Sequence, residues 1–250
     1  MNPLYNHLDK YGSIIEQVVK QANQRMQTLL ANYTVVNGRL VLSEENVAYT
    51  MDLVDRLYST LNEAGYGRFA EKYRNDFMNI YKEFNAAKTQ TYNFNFLPKD
   101  KAVLQAISTA NYEGLFRVER EVANTIQRLA TDYVLTERPI ADLANELREQ
   151  LEGRLQRYAK THVETSTRQA IQKGQDLVLD NEGIEPKDRY YEYVGPLDGI
   201  TREECVEAVT QRYFTEEERL DFESEYGVRY NCRHVFQYIP KAVYYKVGKK

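Results

Sequence analysis

The chain has 250 residues, 42% of them hydrophobic and 28% charged, and its 33 basic and 37 acidic side chains leave a net charge of −4. This length accommodates one large domain or two small ones, and the charge balance argues against a polybasic nucleic-acid binder. Neither a membrane-spanning apolar run nor a signal peptide is visible, and two cysteines suit a reducing compartment, so we expect neither a membrane protein nor a classically secreted one.

The first predicted element is a long amphipathic helix. Apolar residues recur every three or four positions and so share one face of a helix of about seven turns. They are Leu4, Leu8, Tyr11, Ile15, Val18, Ala22, Met26 and Leu29. Because the stripe is too short to require a coiled coil, we interpret it as an intramolecular packing face in preference to an oligomer interface.

A β-hairpin is predicted next, at residues 34–42. Asn37 and Gly38 separate two short β-branched or apolar runs, and both residue types tolerate the positive φ angles that a type I′ turn requires. Because an isolated two-stranded hairpin is only marginally stable in water, it must pack on another part of the chain.

Helices are predicted from Ser43 to about residue 181. Ser43 caps a helix that ends near Gly65, and further helices follow at about 66–84, at 101–136, from Pro139 onward and at 154–181. The apolar face expected for the Ser43 helix comprises Val47, Met51, Val54, Leu57, Tyr58 and Leu61.

Between two of these helices, residues 91–98 alternate aromatic and polar side chains, which is typical of a strand or extended arm. Tyr92, Phe94 and Phe96 would either cover the core of this chain or dock on a neighbouring one. The 21 tyrosines and the absence of tryptophan leave a similar choice open, between an interaction-rich surface and tyrosines at the margin of the core.

After Gly183 the composition changes to that of a small module with mixed secondary structure. Strands are predicted at about 189–194 and 233–239, and capping boxes at Thr201 and Thr215 begin two short helices between them. The predicted fold is therefore α+β. A mostly helical N-terminal domain with a β-hairpin occupies residues 1–135. A C-terminal module with one long helix, short strands and capped helices occupies residues 136–250.

Both cysteines and one of three histidines fall within 30 positions of this module. If its two strands pair, Cys232 and His234 lie close to the helix that carries Cys205. Two sulfurs and an imidazole are three of the four ligands of a tetrahedral zinc site, and Asp198 is the candidate for the fourth. A disulfide and a pair of buried thiols beside a hydrogen-bonded histidine are the two other interpretations. Asp198 is also placed to accept hydrogen bonds from turn amides.

No catalytic residues and no organic cofactor site are predicted. The P-loop, dinucleotide-binding, zinc-protease and serine-hydrolase motifs do not occur. The acidic runs at 203–204 and 216–218 fall in helix first turns, where the helix dipole favours acids. A Cys–His nucleophilic pair would lack a third residue to orient the histidine.

Four motifs of the C-terminal part resemble, in order and spacing, the phage Mu F-like head morphogenesis family. They are THVETST at 161–167, YEYVGPLDGITREEC at 191–205, YFT at 213–215 and YNCRH at 230–234. The resemblance covers about residues 140–240. The cysteine-rich form of that family has further cysteines where this chain has Ala208 and His234, so a metal would need Cys205, Cys232, His234 and a carboxylate or water.

The resemblance implies a structural minor head protein of a tailed phage or prophage, not an enzyme. Its expected partners are the portal and major capsid proteins and packaged DNA, and its expected location is the virion head, after assembly in the host cytoplasm. Docking is expected through the N-terminal helical region. The alternatives are a metal-dependent nuclease or toxin-like effector built on the C-terminal module, and an intracellular adaptor unrelated to phage.

Overall fold

Helices dominate the computed structural model, which describes residues 3–86, 98–227, 232 and 234–247. The helices are α1 (Pro3–Leu30), α2 (Glu44–Met51), α3 (Leu53–Ala64), α4 (Tyr66–Ala86), α5 (Pro98–Leu135), α6 (Ile140–Arg148), α7 (Arg157–Asn181), α8 (Glu203–Gln211), α9 (Glu216–Tyr226) and α10 (Lys241–Val247). The strands are β1 (Val35–Val36), β2 (Arg39–Leu40), β3 (Tyr190–Val194), β4 (Tyr213–Thr215) and β5 (Val235–Ile239). A π-helical segment, Glu149–Gln156, joins α6 to α7. The predicted α+β class is confirmed.

The apolar stripe of α1 is a packing face within the chain, as predicted. Tyr11, Ile15 and Ala22 are fully buried, and α1 packs against α3 and the π-helical segment. The Tyr11 hydroxyl donates a hydrogen bond to Asp76, with 2.9 Å between the two oxygens. The side chains of Leu4 and Leu8 lie outside the described part, as does the predicted arm with its residues Tyr92, Phe94 and Phe96.

The predicted hairpin is present, and its turn has the expected geometry. Asn37 and Gly38 have φ angles of 52° and 78°, and Val35 pairs with Leu40. The hairpin packs on the connection between α5 and α6, because the Leu40 amide donates to the Arg138 carbonyl and the Ile140 amide to the Gly38 carbonyl. These bonds supply the support that a two-stranded ribbon lacks in isolation.

Helix α2 differs from the prediction, because it buries polar residues and exposes apolar ones. Asn46 and Thr50 are buried, whereas Met51 is 72% exposed and Val47 is also exposed. The amide of Asn46 accounts for this orientation. It accepts from the backbone of Thr34 and donates to the carbonyls of Thr34 and Val41, so it satisfies the hairpin's backbone groups.

Internal packing divides the chain into two units. Unit 1 comprises Met1–Asp76 and Thr109–Val163, and unit 2 comprises Phe77–Ser108 and Glu164–Lys250. The predicted boundary between residues 135 and 136 does not coincide with this division, since α6 and the π-helical segment pack against α1. Among the described residues, no helix combines the length and the hydropathy needed to cross a lipid bilayer.

Unit 2 contains a three-stranded antiparallel sheet with the strand order β4-β3-β5. The two strands predicted at the ends of the module do pair, with Tyr193 opposite Phe236 and Val194 opposite Val235. The third strand, β4, was not predicted as a strand, because three residues carry too little alternation to be recognised. The core on this sheet comprises Leu179, Tyr191, Tyr193, Cys205, Ala208, Phe214, Cys232 and Phe236.

Candidate metal centre

Three of the four predicted ligands meet in the core of unit 2. Cys205 comes from the first turn of α8, and Cys232 and His234 come from the segment that leads into β5. All three are buried, and their candidate ligand atoms lie within 4.8 Å of one another. Pairing of β3 with β5 fixes this arrangement, because it holds the segment before β5 close to the chain that enters α8.

The spacing of the donor atoms matches what a tetrahedral zinc ion requires. With Zn–S bonds of about 2.3 Å, two sulfur ligands lie about 3.8 Å apart, and a sulfur and an imidazole nitrogen lie about 3.6 Å apart. The Sγ atoms of Cys205 and Cys232 are separated by 3.7 Å, and Cys232 Sγ lies 3.9 Å from His234 Nδ1. The two cysteines are not joined by a disulfide. This cluster can therefore hold a metal ion.

Two neighbours hold the ring of His234 in place. They are Tyr193 on β3 and Gly195, which directly follows that strand. The imidazole stacks on the Tyr193 ring, with 5.4 Å between centroids and an interplanar angle of 5°. Its other edge faces Gly195, where an added Cβ would lie 2.1 Å from His234 Cδ2. Only glycine leaves room for the imidazole at this point, so Gly195 belongs to the site although it carries no ligand atom.

The second ring nitrogen of His234, Nε2, is a buried polar atom. Among the described residues, Nε2 has no hydrogen-bond partner. Such a group destabilises a fold by about 1–3 kcal/mol unless another interaction compensates for it. A metal bound at Nδ1 would leave the ring proton on Nε2 without a hydrogen bond, but its binding free energy would contribute directly to folding and so offset this cost.

Tyr193 also belongs to the site, and the sequence reasoning missed it. Its hydroxyl lies 3.4 Å from Cys205 Sγ and 3.9 Å from Cys232 Sγ. No sequence pattern pointed to it, because its place in the site depends on the pairing of β3 with β5. The aromatic residues of β3 were interpreted only as evidence for a strand.

Asp198 is not brought into the cluster. It lies exposed in the turn between β3 and α8, where its Oδ1 accepts from the Ile200 amide at 3.2 Å. The Thr201 hydroxyl lies 3.1 Å from the same carboxylate oxygen. The alternative role for Asp198, accepting hydrogen bonds from turn amides, is thus the one observed. This bonding orders the turn that leads to Cys205.

The predicted capping box at Thr201 is wrong. Helix α8 begins at Glu203 with Arg202 as its N-cap, and no side chain caps it. The Thr201 hydroxyl is instead engaged in the turn, near Asp198 and the Pro196 carbonyl. The box at Thr215 is confirmed, because Thr215 Oγ1 accepts from the Glu218 amide and the Glu218 carboxylate accepts from the Thr215 amide.

A buried ion-pair network lies on the same sheet. The guanidinium of Arg219 donates two hydrogen bonds to Glu216, both 2.8 Å long, and one to Glu223 at 3.1 Å. Its Nη2 lies 3.5 Å from Asp176, and its Cζ lies 5.0 Å from the centroid of the Tyr191 ring. Burial raises the pKa of Asp176 despite this nearby positive charge. Glu216, interpreted as a favourable first-turn acid, therefore neutralises a buried arginine.

Chemically, the site offers two soft sulfur donors and an imidazole, enclosed in a core. Such a donor set suits an ion that stabilises the fold, because a catalytic metal keeps a position open to substrate or water. Comparison with protein-family models, with curated proteins and with solved structures gave no match to this chain.

Proposed function

We propose that the chain is a structural minor head protein of a tailed phage or prophage. The proposal rests on the four Mu F-like motifs, and one structural observation supports it. Residues from two separate motifs contact one another. Tyr193 and Gly195 belong to the motif at 191–205, and Cys232 and His234 belong to the motif at 230–234. This is what a shared fold would require of motifs that are distant in sequence. The protein would act in head morphogenesis and reside in the virion.

Docking on the portal or major capsid protein would use the surface of unit 1, not the α1 stripe, because that stripe is buried. The hairpin and α2 together expose Val36, Leu42, Val47 and Met51. Since the side chain of Asn46 bonds the backbone on both sides of the hairpin, these residues are presented by one ordered piece of structure. A position inside the head would also place the protein beside packaged DNA.

The test is co-assembly with the portal and major capsid proteins encoded by the same genome. We expect the full-length chain to sediment with assembled heads, and Met51→Ser to reduce that fraction several-fold while thermal stability is unchanged, since this side chain is largely exposed. Tyr158→Ser replaces an exposed aromatic side chain elsewhere in unit 1, so it serves as the control and should sediment normally. Recovery of the wild-type chain only in the unassembled fraction would contradict the proposal.

We also propose that the cluster of Cys205, Cys232 and His234 binds zinc and that this zinc has a structural role. Thiolate and imidazole ligands in a tetrahedral arrangement favour zinc over the harder cations. The core of unit 2 is small, and small cores commonly depend on a metal or a disulfide for stability. The ligand bonds would tie α8 to the segment before β5, which are otherwise connected through β4 and α9.

A chelator titration of the wild type and Cys205→Ala tests this role. We expect the chelator to lower the unfolding temperature of the wild type and to leave that of the variant unchanged, because the variant has already lost the metal. Without chelator, the variant should be less stable by more than the roughly 1–2 kcal/mol expected for truncating a buried thiol. Equal responses of the two proteins to chelator, measured by scanning calorimetry, would contradict a structural metal.

The alternative of a metal-dependent nuclease or toxin-like effector has one observation in its favour. A cavity of about 410 Å³ adjoins His234 and is lined by charged side chains that include Lys173, Asp176 and Arg219. The burial of all three donors favours the structural role. DNA cleavage by the wild type that His234→Ala abolishes in a folded protein would establish the alternative instead.

A further inference from the structure

We propose that the Tyr193 hydroxyl is the fourth ligand of the metal centre, bound as a phenolate. This inference rests on the proposed zinc site and completes it. Tyr193 would take the fourth-ligand role that the sequence predicted for Asp198, because its side chain already lies among the donor atoms.

The distances around the cluster carry this inference. With a Zn–O bond of about 2.0 Å and Zn–S bonds of about 2.3 Å, the oxygen and each sulfur of a tetrahedral site lie about 3.5 Å apart. The Tyr193 hydroxyl lies 3.4 Å and 3.9 Å from the two sulfurs, which are themselves 3.7 Å apart. The hydroxyl is therefore close to both sulfurs, as the fourth corner of a tetrahedral donor set requires.

The orientation of the side chain agrees with this role. The rings of Tyr193 and His234 are stacked nearly in parallel, and the hydroxyl of Tyr193 and Nδ1 of His234 both lie near Cys232 Sγ. Tyr193 is enclosed by aromatic neighbours, with the centroids of Phe236 at 4.6 Å and Phe222 at 5.5 Å from its own. These contacts leave its hydroxyl preorganised, so that little side-chain entropy is lost when the ion binds.

If Tyr193 is a ligand, metal binding releases one more proton than if it is not. Thiols and phenols are protonated near neutral pH and bind a metal only after deprotonation. Each of Cys205, Cys232 and Tyr193 would therefore transfer one proton to the buffer, and neutral His234 would transfer none. The expected release is three protons per zinc ion, against two if Tyr193 only packs beside the sulfurs.

The experiment is zinc titration of the chelator-treated full-length protein at neutral pH. Calorimetry in buffers of different ionisation enthalpy counts the protons, and near-ultraviolet difference absorption detects tyrosinate. The matched variants are Tyr193→Phe and Tyr191→Phe. Tyr191 lies two residues earlier on the same face of β3, but its ring contacts Arg219.

We expect three protons and a tyrosinate band for the wild type and Tyr191→Phe. Tyr193→Phe should release two protons, show no band and bind zinc at least about 10-fold more weakly. Zinc binding by the wild type with two protons and no tyrosinate band overturns this inference and leaves the zinc site standing. If the wild type binds no zinc, the proposed centre itself fails, and this inference fails with it. The wild-type band and proton count decide the question even if Tyr193→Phe does not fold.

Discussion

Replacing Arg219 by methionine is expected to lower the free energy of unfolding by about 3–5 kcal/mol, because it leaves the buried Glu216 and the half-buried Asp176 and Glu223 without their cation. The arginine side chain is only 4% exposed and lies within 3.5 Å of Glu216, Glu223 and Asp176. Methionine preserves most of the aliphatic stem, so the effect measured by chemical denaturation reflects the lost charge more than lost volume.

The pH dependence of this destabilisation provides a second readout. Burial raises the pKa of Asp176 in the folded state, and loss of the nearby guanidinium, which lowers this pKa, would raise it further. A carboxyl group with a raised folded-state pKa destabilises the protein as pH rises, so the deficit of Arg219→Met should be larger near pH 8 than near pH 5. Arg202→Met is the control, since this partly exposed arginine lies 4.0 Å from Glu204 and should contribute less than about 1 kcal/mol. If both substitutions lower the free energy of unfolding by the same amount, the buried network contributes no more to stability than an exposed ion pair.

Gly195→Ala is expected to destabilise unit 2 by about 3 kcal/mol and to weaken metal binding. The new Cβ would lie 2.1 Å from one ring atom of His234 and 2.4 Å from another, and any movement of the ring would disturb its stacking on Tyr193. Overpacking of a filled core costs about 1–3 kcal/mol or more. The substitution moves a ligand, so zinc affinity should fall together with stability.

Gly199→Ala is the matched control for this prediction. Gly199 lies four residues further along the same connection, and a Cβ there would meet nothing within 4 Å. We expect its unfolding free energy to change by less than about 0.5 kcal/mol, with zinc affinity unaltered. If Gly195→Ala behaves like Gly199→Ala, the imidazole is not confined as the structure indicates.

The local elements of the fold followed from the sequence where one short-range interaction decides them. The Asn37–Gly38 turn needs positive φ, the Ser43 side chain accepts from the Asn46 amide, and Thr215 forms a reciprocal cap with Glu218. Each depends on residues within a few positions of one another. Pattern reasoning suffices for such features.

Features decided by distant residues could not be predicted in the same way. The face that α2 buries depends on Asn46 meeting backbone groups of the hairpin, which outweighs the apolar spacing of Val47 and Met51. The composition of the candidate site shows the same limit. Cys205, Cys232 and His234 were recognisable by residue type, whereas the positions of Tyr193 and Gly195 became evident only from the pairing of β3 with β5.

The most direct test of the metal centre is elemental analysis of the full-length protein, purified without chelator and without a polyhistidine tag. We predict one equivalent of zinc per chain in the wild type, and loss of that zinc in Cys205→Ala and Cys232→Ala. The donor distances require this result if the cluster holds a structural ion. Less than about a tenth of an equivalent in the wild type would contradict it and would leave two buried thiols beside a packed histidine.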